Sequence, residues 1–213
     1  MKTKIIIMLI TAVSCFFIYN FSFRPEKIYT ALGDSFCDAS TVGGLRITSY
    51  NNLLFNYLNE LNKVSSYNDN YCQRNLSIEE LTNLINNNNS INKRHIQNVL
   101  DNSNYITIAI GVDEISSYKK FANIKQKEFL NNYDKLLKLI GKYSKGKVIV
   151  IGFYSNKFKE LNSKLKQICL NNNAKYIDIS LIGLNFPNYS FKNSNKLNNQ
   201  GQLKIFEIIK DNL

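Results

Sequence analysis

Three short runs rich in β-branched residues constrain this chain most: residues 27–32 (KIYTAL), 105–110 (YITIAI) and 147–153 (KVIVIGF). A strand with one wet face alternates apolar and polar residues, whereas a strand covered on both faces does not. KVIVIGF does not alternate, so it predicts a doubly covered strand. The first two runs stop at glycines, Gly33 and Gly111. Weaker strands are expected at Val64 to Tyr67 and Tyr176 to Ile179.

Helical periodicity separates these runs. It spans residues 51–61, 126–143, 157–170 and 202–213, with a turn or two at 91–101. Phe129, Tyr133, Leu136, Leu137 and Ile140 share one face of the longest segment. Ser77-Ile-Glu-Glu opens another helix, with Glu80 at the capping-box position. Residues 181–197 read as a long loop. Strands alternating with helices predict an α/β fold, a parallel sheet of about five strands with helices on both faces. A chain of 213 residues suits one such domain and is short for a TIM barrel.

The N-terminus carries a different signal. Lys2 and Lys4 precede an apolar stretch from Ile5 to Phe23 that no charge interrupts. About 19 residues suffice to span a bilayer core. The basic flank places Met1 in the cytoplasm and the rest outside. The stretch reads as an uncleaved transmembrane helix, a cleavable signal, or a lipoprotein signal with Cys15 as the lipidated residue. Cys15 is followed by Phe16-Phe17-Ile18-Tyr19, where lipoproteins turn polar, so the anchor reading is preferred. Residues 1–25 are therefore taken as anchor or signal, and 26–213 as an extracytoplasmic folded domain.

The net charge is +11. Strongly basic chains meet nucleic acid, anionic lipid or acidic polymers. Here the lysines are dispersed, and no Arg-rich run or basic-aromatic stripe argues for nucleic acid. With 33 Asn and 23 Lys, both encoded by A/T-only codons, much of the charge reads as drift onto solvated faces. His95 is the sole histidine, which excludes a two-histidine mechanism or a His-rich metal site. It precedes the YITIAI strand, at the sheet end away from the chemistry described next, and reads as a surface residue. No metal or cofactor is expected.

In open parallel sheets, reactive groups gather at the carboxyl ends of strands. Four segments qualify: Gly33-Asp34-Ser35, Arg74-Asn75-Leu76-Ser77, Gly111-Val112-Asp113-Glu114, and Asn193-Ser194-Asn195-Lys196 before the last helix. A serine just past a strand can present its hydroxyl to a cleft, with nearby backbone N–H groups as oxyanion donors. Cys37 and Cys72 flank these segments; they form either a disulfide or two unpaired small hydrophobes. Cys169 falls in a helix and reads as core.

The order of these blocks resembles the SGNH (GDSL) hydrolase family over residues 27–213. ALGDS follows the first strand, and a helix start at Ser77 (SIEEL) follows the second. ITIAIG-V-D-E resembles a strand followed by G-x-N-D. Lys196-Leu-Asn-Asn-Gln-Gly resembles H-L-N-x-x-G. The resemblance implies a flavodoxin-like three-layer sandwich. It also implies hydrolysis of esters of lipids, small acyl groups or O-acetylated glycans.

Ser35 then matches the nucleophile, and its N–H one oxyanion donor. Asn75 falls at the family glycine, where a backbone N–H survives. Asp113 falls at the donor asparagine, yet a carboxylate only accepts hydrogen bonds. Lys196 falls at the catalytic histidine and Asn193 at its aspartate partner. The neighbours expected around Lys196 are acidic and favour its ammonium, a poor base. An Asp113–Lys196 ion pair filling the old site is the expected arrangement. The resemblance thus implies an ester hydrolase by descent with impaired catalysis. The alternative is a non-catalytic module binding an envelope glycan, lipid or protein in the old cleft.

Overall fold

The computed structural model describes residues 26–38, 41–42, 45–117, 123–191 and 197–213. Five strands form one all-parallel sheet: β1 (Ile28–Gly33), β4 (Ser66–Cys72), β7 (Ser103–Ala109), β8 (Lys147–Ile151) and β9 (Lys175–Ile177). Their spatial order is β4-β1-β7-β8-β9. Numbered within this sheet, that is 2-1-3-4-5, the flavodoxin-like order. Two-stranded hairpins, β2 (Thr41–Val42) with β3 (Leu45–Arg46) and β5 (Ser90–Ile91) with β6 (Arg94–His95), stand outside it.

Helices cover both faces. On one lie α1 (Tyr50–Glu60) and the closing α9 (Asn199–Asp211), packed on each other. The other carries α2 (Ile78–Asn86), α3 (Ile96–Asp101), α5 (Asn123–Tyr143) and α6 (Lys159–Asn171). Period-two projection divides the strands between two cores. Leu32, Ile106, Ile108 and Val150 join Leu81, Leu136 and Leu165. Tyr29, Ala31, Ile149 and Ile151 join Leu54, Ile205 and Ile209. Phe129, Tyr133, Leu136, Leu137 and Ile140 are all buried, as one apolar stripe requires. The capping box at α2 is formed: Ser77 Oγ accepts from the Glu80 amide at 3.1 Å, and Glu80 Oε2 accepts from the Ser77 amide at 2.8 Å.

Three expectations need correction. The second strand runs over Ser66–Cys72 rather than Val64 to Tyr67. Its sequence, SYNDNYC, is polar because β4 is an edge strand paired only with β1. The segment at 91–101 opens with the β5–β6 hairpin, whose turn residues Asn92 and Lys93 have φ of 52° and 65°. The stretch 181–197 contains two short helices, α7 (Leu181–Leu184) and α8 (Phe186–Tyr189). Residues 5–23, read as a membrane span, lie outside the described residues. Among the described residues no helix is long and apolar enough to cross a membrane.

Candidate active site

The switch point of this sheet lies between β1 and β7, where crossovers leave in opposite directions and a crevice opens at the carboxyl edge. Three loops converge there, following β1, β4 and β7. Gly33 makes the first turn possible: its φ is 151°, and a Cβ would lie 1.9 Å from the Ala109 carbonyl oxygen. Only glycine lets these backbones approach so closely.

Asp34, fully buried, ties the first loop to the third. Its carboxylate accepts from the amides of Phe36 at 3.0 Å, Gly111 at 2.8 Å and Asp113 at 3.0 Å. Burial pushes its carboxyl up to about 6; the three donors pull the other way, and the charge of Asp113 adds to the rise. Behind it, buried Asn51 of α1 donates to the Cys37 carbonyl at 3.2 Å and accepts from the Tyr29 hydroxyl at 2.7 Å.

The second loop is held by three links. A disulfide joins Cys37 to Cys72, with Cα atoms 5.2 Å apart. Arg74 Nε donates to Asp38 at 3.1 Å. Glu114 accepts from the Ile78 amide at 3.0 Å, at the first turn of α2, and burial raises its carboxyl. Asn75 itself has φ 61°, a left-handed conformation that Gly and Asn tolerate and β-branched residues do not.

These links aim two backbone N–H groups at one point. That point is filled by Asp113 Oδ2, which accepts from the Ser35 amide at 3.0 Å and from the Asn75 amide at 2.9 Å. The Ser35 hydroxyl donates to Asp113 Oδ1 at 2.5 Å. Oxyanion donors work at 2.7–3.1 Å from the developing charge. Oδ2 therefore stands where an ester oxyanion would form, and it carries negative charge of its own.

The structure brings Ser35, Asn75 and Asp113 together at one edge. Lys196 and Asn193 lie outside the described residues, and so does the expected Asp113–Lys196 pair. His95 is exposed at the opposite edge, its Nδ1 2.8 Å from the Asn88 carbonyl oxygen. Among the described residues no cluster of His, Cys, Asp and Glu could hold a metal ion.

Sequence reasoning placed Glu114 in a segment it singled out, but missed Asn51 and Tyr154 as site-building residues. Tyr154 follows β8 and packs on Phe36, ring centroids 5.9 Å apart. Burial, then the charges of Asp34 and Asp113, push its phenol up to about 12. Its position after a strand's carboxyl end was the available signal.

No protein-family model and no curated protein sequence matches the chain. Solved structures do. A lipase from a goat rumen metagenome superposes with a TM-score of 0.68 at 20% identity, covering 87% of this chain and 96% of that one. A lipase/acylhydrolase from Enterococcus faecalis gives 0.61 at 14%, covering 87% and 94%. A member of the lipolytic G-D-S-L family from Veillonella parvula gives 0.60 at 13%, covering 87% and 97%. The parallel 2-1-3-4-5 sheet, the GDS turn at its switch point and these superpositions agree: the fold of this chain is that of the SGNH/GDSL lipolytic hydrolases.

Proposed function

We propose that this chain is an extracytoplasmic, membrane-anchored SGNH-hydrolase-like protein, an ester hydrolase by descent whose catalytic centre is shut. Residues 1–25 are its anchor and 26–213 its folded domain. The ligand class is an acyl ester, a lipid ester or an O-acetylated glycan. One observation carries the reading: the Asp113 carboxylate takes both convergent backbone N–H groups and the Ser35 hydroxyl.

A tetrahedral intermediate needs those two N–H groups free. With Asp113 Oδ2 on them, an approaching ester carbonyl meets a carboxylate instead of donors. The contact at Oδ1 does place an acceptor on the Ser35 proton, but an attacking alkoxide would form beside an anion in an occupied hole. Losing one oxyanion donor costs about 10²–10³ in rate, and here both are engaged. Lys196 and Asn193, at the family's base and orienter positions, supply neither imidazole nor carboxylate.

Turnover of a chromogenic short-chain ester by the native protein and by Ser35→Ala tests the reading. Equal, background-level rates are expected. Robust native turnover abolished by Ser35→Ala would overturn it.

The cross-links around the crevice favour binding as the cleft's use. The Cys37–Cys72 disulfide and the Arg74–Asp38 pair fix the walls of a site whose donors are occupied. A non-catalytic envelope module binding a glycan, lipid or protein there would keep those walls. Its ligand would bind equally to native protein and to Ser35→Ala.

A further inference from the structure

The carboxyl edge mixes charges: Asp34, Asp38, Asp113 and Glu114 gather around the crevice, with Arg74 paired to Asp38 and Lys157 and Lys159 following β8. The amino edge opens on cations: Lys27 precedes β1, Lys63 precedes β4, Lys147 opens β8 and Lys175 opens β9. The β5–β6 hairpin adds Lys93 and Arg94. All six are exposed, and none forms an ion pair with a described residue. Acids share this end: Glu26 lines its groove, Glu60, Asp101 and Asp211 close α1, α3 and α9, and Asp69 lies within β4. Lys27, Lys63, Lys147 and Lys175, far apart in sequence, come to one edge because parallel strands all begin there.

This face also holds a groove of about 520 Å³, whose lining includes Asn68, Lys93, Arg94, His95 and Asn102 and one carboxylate, Glu26. Asn68 is 3% exposed, and its side-chain Nδ2 has no hydrogen-bond partner. An unpaired buried donor beside cations suits an anionic oxygen. The described chain enters at Glu26, on this same edge, three residues after the apolar stretch that ends at Phe23.

We infer that the amino-edge face is a docking surface for anionic phospholipid headgroups, with a headgroup phosphate seated in the Asn68–Arg94 groove. The cations lie on the side of the domain where the chain emerges from the bilayer. Each cation near an anionic leaflet adds attraction that fades within a Debye length. The Ser35 crevice, at the other edge, then opens away from the supporting membrane. This deepens the proposed function and rests in part on its anchor: the ligand of the crevice is a soluble or wall-borne ester rather than a lipid of the same bilayer.

The test uses the full chain with phosphatidylcholine vesicles, with and without phosphatidylglycerol, and residue-resolved amine labelling. Lys27, Lys63, Lys93, Lys147 and Lys175 should be labelled about fivefold more slowly with phosphatidylglycerol present, the weight of roughly one cation at such a surface. Lys157 and Lys159, at the carboxyl edge, should not change. High salt should remove the protection, as should Lys63→Glu with Lys93→Glu and Arg94→Glu. Equal labelling on both vesicles, with the protein retained, overturns the docking face and leaves the anchor standing. Low-salt protection on anionic vesicles with release at high salt supports the face and overturns the anchor. No association with either vesicle overturns both.

Discussion

Asp113 Oδ2 sits 3.0 Å from the Ser35 amide nitrogen, the separation at which that amide would hold an ester oxyanion. The same carboxylate takes the Ser35 hydroxyl. Ser35, which the sequence resemblance matches to a nucleophile, is thus bound by the residue that stands where that resemblance expects an amide donor.

The first prediction follows from that plug. Lys196→His with Asn193→Asp should restore little ester turnover, because Asp113 still fills the hole. Adding Asp113→Asn should give the larger gain, on the order of 10²-fold, the weight of a regained oxyanion donor. The effects act as one unit and do not multiply. Ester turnover of the double and triple variants, each with a Ser35→Ala control, decides it. A double variant as active as the triple one would show that Asp113 is no obstacle.

The second concerns pH. An exposed aspartate titrates near 3.9, whereas the folded Asp34 carboxyl is raised to about 6 by burial. Between those values the folded state holds more protons than the unfolded one, so its stability is highest at the acid end. It is lost as pH rises through about 6, by at most about 3 kcal/mol. The melting temperature should therefore fall between about pH 4.5 and pH 7. Asp34→Asn should flatten that slope. A native melting temperature that rises over this range counts against the assignment.

Backbone conformation supplies the third. Asn75 at φ 61° should accept glycine with little change. Asn75→Val should cost roughly 1–2 kcal/mol, because a β-branched side chain clashes in the left-handed region. Denaturant midpoints of the two variants measure the difference. Equal midpoints would show that this loop relaxes out of the left-handed region.

The fourth concerns the disulfide. Cys37 and Cys72 close a loop across 35 positions. Chain-entropy reasoning gives about 3–4 kcal/mol for such a link. Cys37→Ser with Cys72→Ser should lower stability by up to that amount. It should also loosen the loops carrying Ser35 and Asn75, read as faster amide hydrogen exchange there than in β7. Unchanged exchange at Ser35 and Asn75 would show that Asp34, Asp113 and Glu114 hold the loops unaided.

Much of this protein was legible one residue at a time. KVIVIGF declared a doubly covered strand through its lack of alternation, KIYTAL and YITIAI were marked as strands ending at glycines, and β1, β7 and β8 form the centre of the sheet. Ser77 and Glu80 announced the start of α2 because a cap is a local contact. The GDS turn, read with the blocks after it, pointed to the hydrolase fold. The edge strand β4 was harder, since an edge needs only one apolar face and SYNDNYC hides it.

The tertiary structure alone decided what depends on distance across the sheet. That Asp113 accepts from the Ser35 amide and hydroxyl is a relation between residues 78 apart, set by the register of β1 on β7. The Cys37–Cys72 pairing, left open by the sequence, required the β1 and β4 ends to meet. Asn51 could not be told from the other 32 asparagines, because what marks it is burial against Tyr29 and Cys37. The lysines looked like dispersed drift along the chain. Four of them, Lys27, Lys63, Lys147 and Lys175, come to one edge because a parallel sheet brings the strands' beginnings together, a property of topology that no local pattern contains.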